Sequence, residues 1–332
     1  MEENSTSAVA PMGFMDRNHF LLRRLHSLTG LVPIGVFLVA HLTTNSSITW
    51  GKFALRGEKP ESTIVEGGVA YFVKEVVWIN DQIPHLLLIE IVLWVSILFH
   101  SVLGVIYARS GKSNTLRYTY GDNWRYRMQR ITGYIAIFYI FYHVATLRWG
   151  WTFMIPGGTK WSADFAASTM AAALQGSKDG WTLLGVLVSA FYFIGVSSSV
   201  FHFANGLWTS AITWGLTVSA RAQRRWGFAC AAIGIGLMGA AWSSLAGFMF
   251  LDQETARKVE QAMSEKMQSP NNATADSTAK ETSKDAGPVE DPVKAPVVEA
   301  LNESGSGPAK LVPSKLIPTP PASITPISEV TP

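Results

Sequence analysis

The stretch FLVAHLTTN (residues 37–45) sets His41 inside an apolar run, and three other stretches repeat the pattern. They are SILFHSVLG (96–104), FYIFYHVAT (138–146) and SVFHFANG (199–206), which carry His100, His143 and His202. Each belongs to an apolar block of about twenty residues or more, enough to cross a hydrocarbon core of roughly 30 Å at 1.5 Å per residue. A fifth block follows without a histidine. The spans are read at about 25–47, 83–107, 130–149, 181–207 and 226–251, which makes the chain an all-α integral membrane bundle of five transmembrane helices. The fourth stays apolar through GLWTSAITWGLTV to 218, so it protrudes or bends at the interface.

The composition divides sharply along the chain. Of 332 residues, 48% are hydrophobic and 15% charged, but residues 252–332 contain no Phe, Trp or Tyr and hold 11 of the 16 prolines. The chain therefore divides into an N-terminal segment 1–24, the membrane region 25–251 and a tail 252–332. The tail has too few apolar groups to offset the entropy of ordering, so disorder is expected; its first residues, DQETARKVEQAMSEKMQ, read as a short solvated continuation of the fifth span. No cleavable signal peptide is apparent, and the first apolar run reads as the first span. Cys230, the single cysteine, excludes an intrachain disulfide, a thiolate cluster and the CxxCH attachment of a covalent haem.

Orientation follows from Lys and Arg in the connections. The N-terminal segment and the 108–129 and 208–225 connections, with their flanks, hold 12 basic residues, among them Arg17, Arg23, Arg24, Arg109, Arg125, Arg130 and Arg221. The other two connections hold seven, offset by seven acids that include Glu75 and Asp81. The N-terminus is expected in the cytoplasm and the tail outside.

One histidine in a span is most simply a neutral ring satisfied by a neighbouring hydroxyl or carbonyl. Four, one on each of four helices, ask for more, because ionisable groups are costly in hydrocarbon. Their depths agree in twos. His41 lies about 25 Å beyond Arg24 and His143 about 20 Å beyond Arg130, both towards the outer leaflet. His100 lies about 14 Å from Arg109 and His202 about 32 Å from Trp181, both towards the inner one. Two facing imidazoles at one level suit a metalloporphyrin, each giving a nitrogen to one axial position. With both positions filled, such a haem passes single electrons and leaves no site for oxygen. Gly30, Gly35, Gly104, Gly133, Gly195 and Gly206 offer space beside a broad flat ring, although glycine is common at membrane helix contacts anyway. Arg24, Arg130 and Ser27 are candidates for its propionates. Two such haems, one per leaflet, form a wire across the bilayer.

Several of these segments resemble a known family. RRLHSLTGLVPIGVFLVAHL (23–42), HSVLGVIYA (100–108), NWRYRMQRITGYI (123–135), FYHVATLRW (141–149) and FHFANGLWTSAITWGLTVS (201–219) are similar to the di-haem cytochrome b subunit of succinate:quinone oxidoreductases, b558 type. The resemblance covers about residues 17–251. It implies that His41 and His143 are axial ligands of the distal haem b and His100 and His202 of the proximal one. It also implies a flavoprotein and an iron–sulfur subunit docked on the cytoplasmic face of a bacterial-type membrane, with a membrane quinone, menaquinone before others, as substrate. A higher oligomer of the complex is compatible with it. The 48–82 connection is longer than the family leads one to expect, and the long tail is foreign to it. In some relatives an acidic residue near the outer start of the second helix lies close to the menaquinone site, which makes Asp81 a candidate here. The dicarboxylate chemistry cannot lie in this chain, which has no dinucleotide fingerprint, cysteine cluster or flavin attachment signal.

His85 is a candidate for relaying protons to a quinone. His26 reads as an interfacial residue near a propionate or quinone, and His19 as solvated. Trp50, Trp78, Trp149, Trp151 and Trp181 read as an interfacial belt. Three other readings compete: a cytochrome b of a hydrogenase or formate dehydrogenase, a histidine-lined ion transporter, and a haem-free anchor. A transporter would set carboxylates beside the histidines, whereas Glu90 is the one acid well inside a span.

Overall fold

In the computed structural model the described residues are 13–55, 64–83, 85–110 and 121–265. After a short turn of helix α1 (Phe14–Arg17), helix α2 (His19–Ala54) runs 36 residues. At 1.5 Å per residue it is about 54 Å long, more than a bilayer core needs, so it projects beyond it. Its segment Gly30–Gly35 is π-helical around Pro33, which has no N–H to give the regular ladder. Helices α3 (Ile64–Gln82) and α4 (Leu86–Ser110) follow, then α5 (Gly121–Leu147), α6 (Ala166–Gln175), α7 (Leu183–Thr213) and α8 (Ala220–Met249). Residues 253–265 form a last helix, α9.

Among the described residues five helices are long and apolar enough to span a membrane: α2, α4, α5, α7 and α8. This is the five-span helical bundle expected, and the chain is a multi-pass membrane protein. The spans turn large apolar side chains outward: Leu98, Phe138, Leu183 and Ile235 are each at least two-thirds exposed. Such surface is unfavourable in water and suits lipid. The end carrying α1 is called the near end and the opposite one the far end. The fourth span stops at Thr213, where Trp214 and Gly215 (φ +72°) turn the chain away.

Three helices that the sequence reading did not anticipate gather at the far end. Helix α3, inside the long 48–82 connection, lies against the projecting half of α2. The contact is close because glycines line it: a Cβ on Gly68 would collide with Ile48 O, and one on Gly51 would meet the Tyr71 side chain. Val69, Phe72 and Val73 of α3, Ala166, Ala171 and Leu174 of α6, and Leu245, Phe248 and Ala256 of α8 and α9 form one buried core. Trp50, read as part of an interfacial belt, takes part in this contact, donating to Ser46 Oγ at 2.9 Å and packing on Tyr71.

Helix α9 corrects the reading of where the tail begins. Residues 253–265 are neither disordered nor a solvated extension of α8. The chain breaks at Phe250–Asp252, Asp252 caps the new helix by accepting from Thr255 N at 2.7 Å, and Ala256 and Glu260 are buried. Glu260 accepts from Ala167 N at 2.7 Å, Ser168 N at 3.3 Å and Ser168 Oγ at 2.5 Å. Those amides are orphan donors of the first turn of α6, which has no side-chain cap of its own. Gln175 Nε2 donates to Leu251 O and Met249 O, fastening the other end of α6 to the same break. Ala256, Val259 and Met263 pack against the core, so α9 is docked by one apolar edge as well as by its carboxylate. Residues 266–332, the rest of the expected tail, lie outside the described residues.

Candidate functional site: two histidine couples in the bundle

His100 on α4 and His202 on α7 face each other towards the near end, with ring centroids 6.0 Å apart and planes at 87°. His41 on α2 and His143 on α5 do the same towards the far end, at 5.7 Å and 85°. The sequence reading paired the four in this way from depth alone, and the tertiary contacts give the same couples. Each couple draws on two different helices, so it exists only when the bundle is assembled.

The separation can be tested against an iron held between two imidazoles. Metal–nitrogen distances near 2 Å on each side, plus roughly 1 Å from each nitrogen to its ring centre, place the centroids about 6 Å apart. Both couples match. Among the described residues no group of three or more His, Cys, Asp or Glu could hold a metal ion unaided. Each couple offers two imidazole nitrogens, which would suit a metalloporphyrin that brings its own nitrogens.

The near couple is held by backbone carbonyls of neighbouring helices. His100 Nδ1 lies 2.9 Å from His26 O and His202 Nδ1 lies 3.0 Å from Gln129 O. A carbonyl only accepts, so each Nδ1 must carry the hydrogen and each Nε2 is left as a bare lone pair, the form that binds a metal. Gln129 holds its partner twice over: its Nε2 donates to His202 O at 3.0 Å, and its Oε1 accepts from Asn205 Nδ2 at 2.8 Å. Glycine makes room for both rings. A Cβ on Gly30 would strike the His100 ring, and one on Gly133 would come 2.9 Å from His202 Cε1. Gly104 and Gly206 give the same clearance to the supports His26 and Gln129, at 3.3 and 3.4 Å. Gly35 and Gly195 accommodate Phe203 and Tyr139.

The far couple is held differently. His143 packs among Tyr139 and Tyr192, each 5.8 Å away between centroids, and His41 stacks on Phe37 at 5.2 Å. His143 Nδ1 is buried without a hydrogen-bond partner. A dry imidazole nitrogen of this kind costs free energy unless something takes it up.

The remaining candidates fall into two groups. Arg24 and Ser27 converge at the near end on Trp214: the Arg24 guanidinium lies 5.4 Å from its ring, and Ser27 Oγ accepts from its Nε1 at 3.4 Å. Arg24 Nε is buried without a hydrogen-bond partner, and its guanidinium lies over Phe20 at 4.1 Å. Arg130, next to Gln129, lies over Tyr126 at 5.5 Å. Asp81 and His85 sit at the corner between α3 and α4, both exposed, with His85 at φ +62°. Among the described residues neither contacts a histidine couple. Glu90 is not deep in a span; it lies in the first turn or so of α4 and makes a two-pronged ion pair with Arg148, both contacts 3.0 Å.

His26 differs from its reading as an interfacial residue. Its ring stacks on His100 at 4.0 Å and 10°, and its carbonyl orients the same histidine. The i, i+4 step to Gly30 was the available signal, since it puts His26 and the glycine under His100 on one face of α2.

Comparison with known proteins decides the family. Over 206 residues the chain is 34% identical to the "Succinate dehydrogenase cytochrome b558 subunit" of Bacillus subtilis (strain 168), an alignment spanning 62% of this chain and 85% of that protein. The chain belongs to this family. The family resemblance read from RRLHSLTG and FHFANGLW is thus shown. No family model matches the chain, and no solved structure matches it.

Proposed function

We propose that the chain is the membrane anchor of a succinate:quinone oxidoreductase, passing electrons between a docked iron–sulfur/flavoprotein pair and membrane quinone through two haem b groups. The observation that carries this reading is the double couple: four histidines from four helices meet in twos, at separate levels, at the spacing two axial ligands require. His100 and His202 would hold the proximal haem and His41 and His143 the distal one. When bound, each haem would supply reversible one-electron transfer. The chain's own residues do the rest. His26 O and Gln129 O fix the tautomer and aim of the near pair, while Tyr139, Tyr192 and Phe37 enclose the far pair in apolar surroundings that keep water out. Arg24, with its unpartnered Nε, and Ser27 and Arg130 would be the candidates for propionates at the near end.

The bias of basic residues supports a cytoplasmic near end, with the tail on the other side. Exposed apolar side chains at the near end, Phe14, Phe20, Leu216 and Val218, supply surface for the soluble subunits. The function divides as 1–24 for the near-side segment and 25–251 for the haem-binding bundle, with menaquinone the preferred quinone. The test is a dithionite-reduced absorption spectrum of the purified complex, with haem counted per chain. Two haems in the parent and one in each single-histidine variant support the reading. A haem-free parent, or a variant that keeps both, ends it.

A further inference from the structure

We propose that the π-helical turn Gly30–Gly35 is a one-residue phase shift in α2 that lets this helix serve both histidine couples, with Pro33 as its positioning residue. The inference rests on the function above. It concerns the shape of the backbone between the two couples, not a further ligand.

On the near side of the turn, α2 works for His100. The His26 carbonyl takes the His100 Nδ1 hydrogen at 2.9 Å, the His26 ring stacks on the same imidazole at 4.0 Å, and a Cβ on Gly30 would strike it. On the far side α2 works for the other couple. His41 faces His143 of α5, and Ile48 and Thr49 pack close against Gly247 of α8. A regular helix does not give both directions. Gly30 and His41 are 11 residues apart, which at about 100° per residue leaves them only roughly 20° apart around the axis. His41 would then point where Gly30 points, at α4 and His100.

The π turn removes this conflict. Its i→i+5 ladder takes up about one residue more than an α turn, so everything beyond it is rotated back by roughly 100°. His41 then stands about a quarter turn from Gly30. The two glycines record the same rotation. In a regular helix residues five apart lie roughly 140° from one another. Here Gly30 clears the His100 ring and Gly35 clears the ring of Phe203, which follows His202 on α7. A Cβ on Gly35 would also lie 3.1 Å from Gly30 O, so the second glycine sits above the first on the side that carries the near couple. Pro33 keeps the turn wide, because it has no N–H for an α bond and its ring clashes with the carbonyl four residues back.

The experiment changes the length of this segment by one residue in either direction, in the intact complex. Haem per chain, the reduced-minus-oxidised spectrum and the low-temperature EPR signals of the ferric haems are measured in the parent, in a variant lacking Pro33 and in a variant with one alanine inserted after Pro33. Without Pro33 the segment is free to become regular helix. Gly35 is then four residues from Gly30 and stays on its face, and His41, ten residues away, keeps an offset of roughly 80°. Two haems with parental EPR signals are expected. The added alanine exceeds what one wide turn absorbs and swings His41 by about 100°. The far haem should be lost and the near one kept, which halves the absorbance change.

This asymmetry is the readout, since a turn with no role in phase would make the two length changes equally harmful or equally harmless. Loss of a haem on deletion, or two haems after insertion, overturns the proposal and leaves the anchor function standing. A parent without haem defeats that function instead. If either variant fails to assemble, a density map of the parent decides: an i→i+5 ladder across 30–35 with His41 aimed at His143 supports the phase shift, and an i→i+4 ladder with His41 aimed the same way overturns it.

Discussion

The two histidine couples perform one geometric task with different supports. At the near end, carbonyls of α2 and α5 each take a ring hydrogen, so orientation is set by backbone that cannot rotate away. At the far end no such bond is made by His143, and the rings are held by aromatic packing beneath an extramembrane cap of α3, α6 and α9. A site held by hydrogen bonds should yield to loss of a specific donor or acceptor. A site held by packing should yield to loss of the lid above it.

The sharpest way to break this contrast is to remove the ligands themselves. His202→Ala should abolish the near haem and spare the far one, His143→Ala the reverse, each read as half the reduced-minus-oxidised absorbance. Loss of both from either change would mean that the couples are not independent. Next in size is Glu260→Ala, which strands two backbone amides and a hydroxyl at the start of α6 and should cost about 2–4 kcal/mol of cap stability. Hydrogen exchange at Ala167 and Ser168 would rise steeply, and the far haem should loosen while the near one holds. The same carboxyl gives a pH dependence. Burial raises its pKa, so the docked cap holds the proton more tightly than the undocked one. Docking is therefore strongest at acid pH and weakens as pH rises through that value, measurable as a fall in the protection factors of α6 amides once the base-catalysed intrinsic rate is divided out.

Gly30→Ala should act at the near end by overpacking. The new methyl meets the His100 ring and costs about 1–3 kcal/mol, seen as reduced near-haem occupancy with the far haem intact. Gln129→Leu is milder, because the carbonyl that orients His202 remains while two side-chain bonds are lost. About 1–2 kcal/mol and a several-fold increase in near-haem dissociation are expected. The smallest effect belongs to Glu90 and Arg148, whose exposed ion pair should show a coupling below about 1 kcal/mol in a double-mutant cycle on thermal stability.

Much of the bundle was legible in the sequence because a membrane enforces simple rules. A span must be long and apolar, so five blocks of the right length gave five helices, and the boundaries moved by only several residues. Charged flanks and helical rise placed each histidine by depth, and depth was enough to pair them. The cap was not legible. Helix α3 is recognised by glycines that fit α2, and α9 by a glutamate that caps a helix 92 and 93 residues earlier in the chain. In α9 the apolar edge of Ala256, Val259 and Met263 has helical spacing, but nothing in the segment tells what that edge packs against. Asp81 and His85 drew notice as polar residues near a span, whereas Glu260, in a segment read as solvated, is the carboxyl that is buried.

By itself the sequence determined the membrane class, the number of spans, the level of each histidine and the family, because hydrophobic length and residue order are properties of the chain. Only the tertiary structure decided which carbonyl fixes each ring, that His26 lies against His100, that α9 docks, and which acid loses its water. Those depend on contacts between residues scores of positions apart, and hydrogen bonding and desolvation are settled by who stands next to whom, not by what precedes or follows along the backbone.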